Sequence, residues 1–97
     1  MKLTKILLLI FLVSAFPALA QKTVNGNVKD ANGIPLAGVN VVVKGTRNGT
    51  STNSDGNYKI SALKPSDILV FSFLGFQTLQ RTVSEHSSIN IVVQEQR

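Results

Sequence analysis

The chain has 97 residues, no cysteine, and ten Lys or Arg against five Asp or Glu. Without cysteine it has no thiol nucleophile, no cysteine-based metal site and no disulfide, so a domain of this size depends on core packing for its stability. The basic residues are spread singly along the chain, whereas a nucleic-acid-binding surface usually groups them in a stripe with aromatic residues.

The first twenty residues have the pattern of a secretory signal peptide. Two lysines precede the apolar run ILLLIFLVSAF, and the small-residue sequence PALA follows it. This run is shorter than the ~20 residues that a membrane-spanning helix needs. We therefore predict cleavage between Ala20 and Gln21, with residues 1–20 as signal peptide. Residues 21–97 then form one exported domain with no transmembrane segment.

After the predicted cleavage site, apolar residues recur with a period of two rather than 3.6, which predicts strands and no helices. The first strand, TVNGNVK, places Val24 and Val28 on its inner face. The pair Asn32-Gly33 then predicts a tight turn, because both residues tolerate positive φ. Strand pairing is expected to resume only after Pro35, which lacks the backbone N–H.

Three consecutive valines predict the second strand, VNVVVK, because β-branched side chains pack well on a pleated surface. Alternation places three valines on its inner face: Val39, Val41 and Val43. Gly38 stands just before this strand, and a predicted bend over GTRNG follows it, bounded by Gly45 and Gly49. Glycine suits such bends because it adopts positive φ without steric cost.

A short third strand, TST, and a fourth strand, NYKI, are separated by the sequence NSDG. Within NSDG, Asp55-Gly56 is a residue pair typical of a tight turn. Tyr58 and Ile60 alternate with polar residues, so we expect both side chains on the inner face of the fourth strand.

The fifth strand, ILVFSFL, is apolar nearly throughout, which indicates that both of its faces are covered. We assign Leu69, Phe71 and Phe73 to the core and expect Val70 to be half-buried. Gly75 interrupts the apolar pattern and predicts a bulge or a tight bend.

Two further strands complete the pattern. The sixth covers residues 76–83, and its sequence does not fix which side chains face inward. After a polar turn, Ile89, Ile91 and Val93 form the inner face of the seventh strand. Seven short strands with turns at regular spacing predict an all-β, antiparallel β-sandwich, with a β-barrel as the alternative.

The order NGxVKDANGIPLAGVNVVVKGTxxGTxTNSDGNYKI, then ILVFSFLGFQT, then INIVV closely resembles the carboxypeptidase-D regulatory-like domain. The resemblance extends from Thr23 to Val93 and is greatest to the version at the N-terminus of SusC-like TonB-dependent outer-membrane transporters of the Bacteroidetes. It implies a seven-stranded Greek-key sandwich of the transthyretin (prealbumin) type. It also implies a place on the periplasmic side of the outer membrane and an accessory role in the uptake of glycans and similar nutrients.

The chain departs from the transporter pattern in two ways. It ends at Arg97 without a TonB-contacting segment, plug or barrel, so we expect that it does not transport a nutrient alone. Asn53 stands where the family usually has an Asp before the Asp-Gly turn. This exchange argues against a cation at that turn.

No pattern of catalytic or metal-binding residues is present. His86 is the only histidine and lies in a polar turn between Glu85 and Ser87. A catalytic triad requires an acid that orients the base in space, and a zinc site requires three or four ligands. The sequence NSDG resembles the start of a calcium loop, but no acid stands where the loop would close. We therefore predict a protein that is not an enzyme and has no cofactor and no metal.

The remaining candidate for function is the surface. Leu74, Phe76 and Leu79 border the predicted bend at Gly75 and would form an apolar docking patch if exposed; the alternative is that they belong to the core. The first hypothesis is an interaction module that contacts envelope proteins, namely a transporter barrel or plug or the TonB system. The alternatives are a free-standing periplasmic or secreted domain that binds protein or glycan, and a remnant of a longer transporter.

Overall fold

The computed structural model describes residues 21–96. The predicted signal peptide, including Ala20 at its cleavage site, lies outside the described residues, as does Arg97. Within the part that the structure describes, no helix is long and apolar enough to cross a membrane.

Seven strands make up the regular secondary structure of residues 21–96. They are β1 (Lys22–Asp30), β2 (Asn40–Val43), β3 (Gly49–Ser51), β4 (Asn57–Leu63), β5 (Ile68–Ser72), β6 (Leu79–Thr82) and β7 (Ile91–Val93). They form a three-stranded sheet in the order β4-β1-β7 and a four-stranded sheet in the order β3-β2-β5-β6. The predicted all-β sandwich with seven strands is therefore confirmed.

The prediction that all strands are antiparallel is wrong for one pair, because β1 and β7 run parallel, with Val28 opposite Ile91 and Asp30 opposite Val93. The chain passes from β6 in one sheet to β7 in the other, and this crossover brings β7 to β1 in the same direction. Parallel neighbours require such a crossover, whereas antiparallel neighbours can be joined by a tight turn. Side chains alternate between the two faces of a strand in parallel and antiparallel pairs alike, so the sequence pattern did not distinguish the two kinds of pairing.

Apolar side chains from both sheets fill the space between them. The buried members are Val24, Val28, Val39, Val41, Val43, Tyr58, Ile60, Leu63, Leu69, Phe71, Val83, Ile89, Ile91 and Val93. Every predicted core residue except Phe73 is in this set; Phe73 is only partly buried and packs against the core. Tyr58 and Phe71 meet edge to face at 5.5 Å between ring centroids, which joins the two sheets.

Several predicted element boundaries differ from the structure: β4 extends to Leu63, β5 ends at Ser72 and β7 begins at Ile91. Gly49 does not form part of the bend; it is the first residue of β3 and pairs with Val42, because the bend already closes where the N–H of Val43 donates to the carbonyl of Asn48. The predicted sixth strand begins too early, since Phe76 makes only an isolated pairing with Glu95 and β6 starts at Leu79.

Candidate interaction surface

A tight turn after β5 presents Leu74 to solvent. The N–H of Phe76 donates to the carbonyl of Phe73 at 3.1 Å, and Gly75 has φ of 89°. A positive φ at the third residue is typical of a type II turn, and glycine adopts it without strain. Leu74 lies at the second position of the turn, where its side chain is 95% exposed. The predicted bend at Gly75 is thus a turn that holds a large apolar side chain away from the core.

The turn is supported on both sides. The rings of Phe73 and Phe76 stack at 5.7 Å between centroids beneath it, and both pack against the core. The segment after β7 pairs with the residues that follow the turn: the N–H of Gln77 donates to Gln94, and the N–H of Gln96 donates to Gly75, each at 2.8 Å. These contacts fix the position of Leu74.

The structure does not bring the three residues of the predicted patch to the surface together. Leu74 is exposed, whereas Phe76 and Leu79 are partly buried and pack against the core. Among the described residues, the other exposed large apolar residues are Ile34, which is 56% exposed, and Val92, which is 54% exposed. Ile34 lies at the same end of the sandwich as Leu74, because β1 and β7 end in register and the segment after β7 pairs with residues 75–77.

The turn NSDG is closed by its own asparagine. The Oδ1 atom of Asn53 accepts hydrogen bonds from the N–H groups of Asp55 and Asn57, each at 3.0 Å, and Gly56 has φ of 78°. This is an Asx turn, in which a side-chain oxygen satisfies backbone donors. The residues that resemble the start of a calcium loop therefore have a structural role in this turn.

The titratable residues within 21–96 form no metal-binding cluster. His86 is exposed in the segment between β6 and β7, and its backbone N–H donates to the carbonyl of Val83. Within residues 21–96, no three His, Cys, Asp or Glu residues lie close enough to hold a metal ion.

Two polar side chains inside the sandwich have structural roles that the sequence did not reveal. The Oη atom of Tyr58 donates to the carbonyl of Ile89 at 2.6 Å, and burial raises the pKa of Tyr58 to about 12. The Oγ1 atom of Thr52 accepts from the N–H of Val39 at 3.0 Å and donates to the carbonyl of Leu36 at 2.6 Å. The only sequence signal for either role is a side chain with a polar atom at a position that alternation places on the inner face of the sheet.

The remaining turn glycines lie on the loops between strands. Gly33, Gly38 and Gly45 all have positive φ, between 79° and 81°. The N–H of Gly33 donates to the carbonyl of Asp30, so the Asn32-Gly33 sequence does reverse the chain after β1.

Known proteins with a similar sequence are TonB-dependent receptors by their names. The TonB-dependent receptor SusC of Bacteroides thetaiotaomicron is 47% identical over 75 residues, which is 77% of this chain and 7% of that receptor. The TonB-dependent receptor P3 of Formosa agariphila is 38% identical over 86 residues, which is 88% of this chain and 9% of that receptor. The matched region thus spans less than a tenth of these relatives.

Solved structures share the fold at low sequence identity. A type II cohesin–X-dockerin complex from Acetivibrio cellulolyticus contains a chain with a TM-score of 0.63 and 18% identity, covering 76% of this chain and 58% of that one. A streptococcal ancillary pilin has a TM-score of 0.52 and 15% identity, covering 81% of this chain and 34% of the pilin.

The family model of the CarboxypepD_reg-like domain matches residues 24–97. The resemblance predicted from the sequence is therefore confirmed: the chain belongs to the family of CarboxypepD_reg-like domains.

Proposed function

We propose that this protein is a non-catalytic, exported interaction module that resembles the N-terminal accessory domain of TonB-dependent nutrient transporters. Its place would be the periplasmic side of the outer membrane, reached by means of a signal peptide over residues 1–20. Its partners would be envelope proteins, namely a transporter barrel, a plug or the TonB system. Its fold would be the Greek-key, transthyretin-like form of the sandwich.

The observation that carries this proposal is the 47% identity to part of a TonB-dependent receptor, over 75 residues. A match of this identity over 77% of the chain supports the context of that receptor for this domain. The non-catalytic role is supported by the described residues, whose polar side chains inside the sandwich are engaged in hydrogen bonds that hold strands and loops together.

The contact surface that we propose is the turn that carries Leu74. Leu74 is 95% exposed, and the stacked phenylalanines and the segment after β7 hold the backbone of its turn in place. An apolar side chain on such a turn can enter a pocket on a partner with little further loss of backbone conformational entropy. Ile34 at the same end of the sandwich adds a second exposed apolar side chain.

Glycan binding, the alternative from the sequence, receives less support. A sugar ring packs against an exposed aromatic face, but Tyr58 and Phe71 are buried and Phe73 and Phe76 are partly buried. The described surface therefore favours a protein partner.

Fractionation of cells tests the proposal. The full chain, expressed with an epitope tag in a Bacteroidetes host, is expected in the outer-membrane fraction. Leu74→Asp is expected to move the protein to the soluble periplasmic fraction, because it places a charge at the apolar contact. Val92→Asp is the matched control, since Val92 is also exposed, on β7.

The free energy of unfolding of both variants should lie within about 0.5 kcal/mol of the wild-type value, because both positions are on the surface. The proposal fails if the wild-type chain is found in the soluble fraction, or if Leu74→Asp leaves a folded protein in the membrane fraction.

A further inference from the structure

The outer edge of β6 carries backbone groups that no other strand pairs with. The N–H of Val83 donates to the carbonyl of Asp67 on the side of β5. In an antiparallel ladder successive residues alternate between facing the partner strand and facing away from it. The backbone groups of Arg81 therefore face β5, whereas those of Gln80 and Thr82 point away from the sheet. The carbonyl of Gln80 accepts a hydrogen bond from Nη1 of Arg81 at 2.9 Å, which leaves the N–H of Gln80 and both backbone groups of Thr82 for a further strand. This arrangement is a template for one more strand.

The other sheet edges are less suited to accept a strand. On β4, the carbonyl of Ser61 already accepts a hydrogen bond from the side chain of Asn48 at 2.8 Å, and Ala62 with φ of 62° breaks the extended backbone. β3 and β7 have only three residues each, so each offers a short edge to a further strand. β6 has four residues in regular pairing and no residue with positive φ. It is therefore the edge best suited to accept a further strand.

Arg81 gives the β6 edge a charge on its inner side. Arg81 stands directly opposite Leu69, which is fully buried, so both side chains lie on the side of the sheet that faces the other sheet. Because β6 is the last strand, Arg81 reaches past the core and remains exposed. An inward-pointing charge on an edge strand opposes pairing with strands that cannot neutralise it.

A groove adjoins this charge. It has a volume of about 270 Å³ and is lined by Arg81, Thr82, His86, Ser88, Ile89 and Asn90. The lining contains hydrogen-bond donors from a guanidinium, a hydroxyl and an amide, and no carboxylate is among these residues. The nearby Glu85 lies 4.0 Å from Lys22. The charge that would complement the groove is negative.

We propose that the β6 edge binds an extended segment of a partner protein, and that an Asp or Glu of this segment places its carboxylate beside Arg81 in the groove. The added strand would pair with the N–H of Gln80 and with both outward backbone groups of Thr82, and the carboxylate would bind the guanidinium donors that the carbonyl of Gln80 leaves free. Arginine suits this role because its planar guanidinium can bind a carboxylate through two parallel hydrogen bonds. The inference rests on the interaction role proposed above and names the chemistry of the partner, but it concerns a different surface from Leu74.

Peptide binding to the full chain tests the inference. The probe is a fluorescein-labelled peptide of alternating threonine and valine with one central glutamate; two matched peptides carry glutamine or lysine in place of that glutamate. Fluorescence anisotropy should show saturable binding of the glutamate peptide, at least about tenfold tighter than the lysine peptide, which corresponds to one charge-assisted hydrogen bond. Amide signals of Gln80 and Thr82 should shift most in NMR spectra.

Two variants separate the charge from the backbone. Arg81→Gln should weaken binding of the glutamate peptide by about tenfold, while Lys59→Gln on β4, which removes an equal charge from the other sheet, should not. Thr82→Pro should abolish binding because it removes an outward N–H; proline is tolerated at such edge positions. Circular dichroism and thermal unfolding verify that each variant is folded.

The inference is overturned if no peptide binds, if the lysine peptide binds as well as the glutamate peptide, or if folded Arg81→Gln binds like the wild type. It is also overturned if the shifted amides lie away from β6. Leu74→Asp should bind the glutamate peptide like the wild type, so loss of membrane association with retained peptide binding separates the two surfaces.

Discussion

Gly26 lies in the middle of β1, and the backbone of the facing segment leaves no room for a side chain there. A Cβ atom on Gly26 would clash with the carbonyl oxygen of Ile89 and lie 2.9 Å from Cε1 of Tyr58. The same carbonyl accepts the hydrogen bond from the hydroxyl of Tyr58. Close approach of two backbone segments therefore positions the acceptor for this tyrosine.

We predict that Gly26→Ala destabilises the protein by about 3 kcal/mol or more, because a backbone carbonyl cannot move aside as a flexible side chain can. The matched control is Gly33→Ala in the turn after β1, where φ is +81° and no atom lies within 4 Å of the added Cβ. Only conformational strain of about 1 kcal/mol applies there. Urea denaturation measures both, and equal losses in the two variants would contradict this account of Gly26.

Tyr58 combines a buried ring with a buried hydroxyl. Removal of the hydroxyl in Tyr58→Phe leaves the carbonyl of Ile89 without its partner, which should cost about 1–2 kcal/mol at pH 8. Urea denaturation at that pH measures the loss. Tyr58 is the single tyrosine of the chain, so absorbance at alkaline pH reports its ionisation alone.

The stability contributed by Tyr58 should depend on pH. Burial raises its pKa from 10.0 to about 12, so the folded protein retains a proton that the unfolded chain releases above pH 10. The contribution is therefore fully present below pH 10 and is lost as the pH rises from 10 to 12, by about 2–3 kcal/mol. The stability advantage of the wild type over Tyr58→Phe should therefore disappear and then reverse over this range. A titration midpoint near 10 in the folded protein would refute the assignment.

Between elements, Thr52 holds the loop before β2 against the end of β3. Its hydroxyl accepts from Val39 and donates to Leu36, and the residue is 5% exposed. The N–H of Gly38 also donates to the carbonyl of Thr52, so side chain and backbone hold the same loop.

We predict that Thr52→Val lowers the free energy of unfolding by about 2–4 kcal/mol, since the shape is nearly preserved but two buried backbone groups lose their partner. Thr50→Val on the edge strand β3 is the control and should change stability by less than about 0.5 kcal/mol. Thermal unfolding of the two variants gives the comparison. A similar midpoint for both would show that the Thr52 hydroxyl does not hold the loop.

In β4 and β6, the residues that face inward could not be assigned from the alternation of apolar and polar residues. In β4, strict alternation from Ile60 would bury Ala62, but Ala62 has positive φ and the register with β1 shifts there, so Leu63 faces the core instead. In β6, Arg81 occupies the inward phase between Leu79 and Val83, and its charge concealed the pattern. The alternation of the other strands was regular, and their buried residues could be assigned from it.

For the whole molecule, the sequence indicated the number and order of the strands and the family, because each strand and turn has a local signature. Strand pairing has no local signature, so the parallel pair β1–β7 and the groove beside Arg81 could not be predicted. The exposed position of Leu74 was also undetermined, since it follows from a turn whose supporting contacts come from the distant segment 94–96. The candidate surfaces thus arise from contacts between distant parts of the chain.

We propose that this domain contacts an outer-membrane uptake protein through the turn at Leu74. The most direct test is photo-cross-linking in intact cells with a benzophenone amino acid at position 74, followed by mass spectrometry, with position 92 as the matched exposed control. The account predicts a cross-link from position 74 to a TonB-dependent barrel or plug or to a TonB-type protein. Absence of any cross-link from position 74, or the same products from both positions, would contradict it.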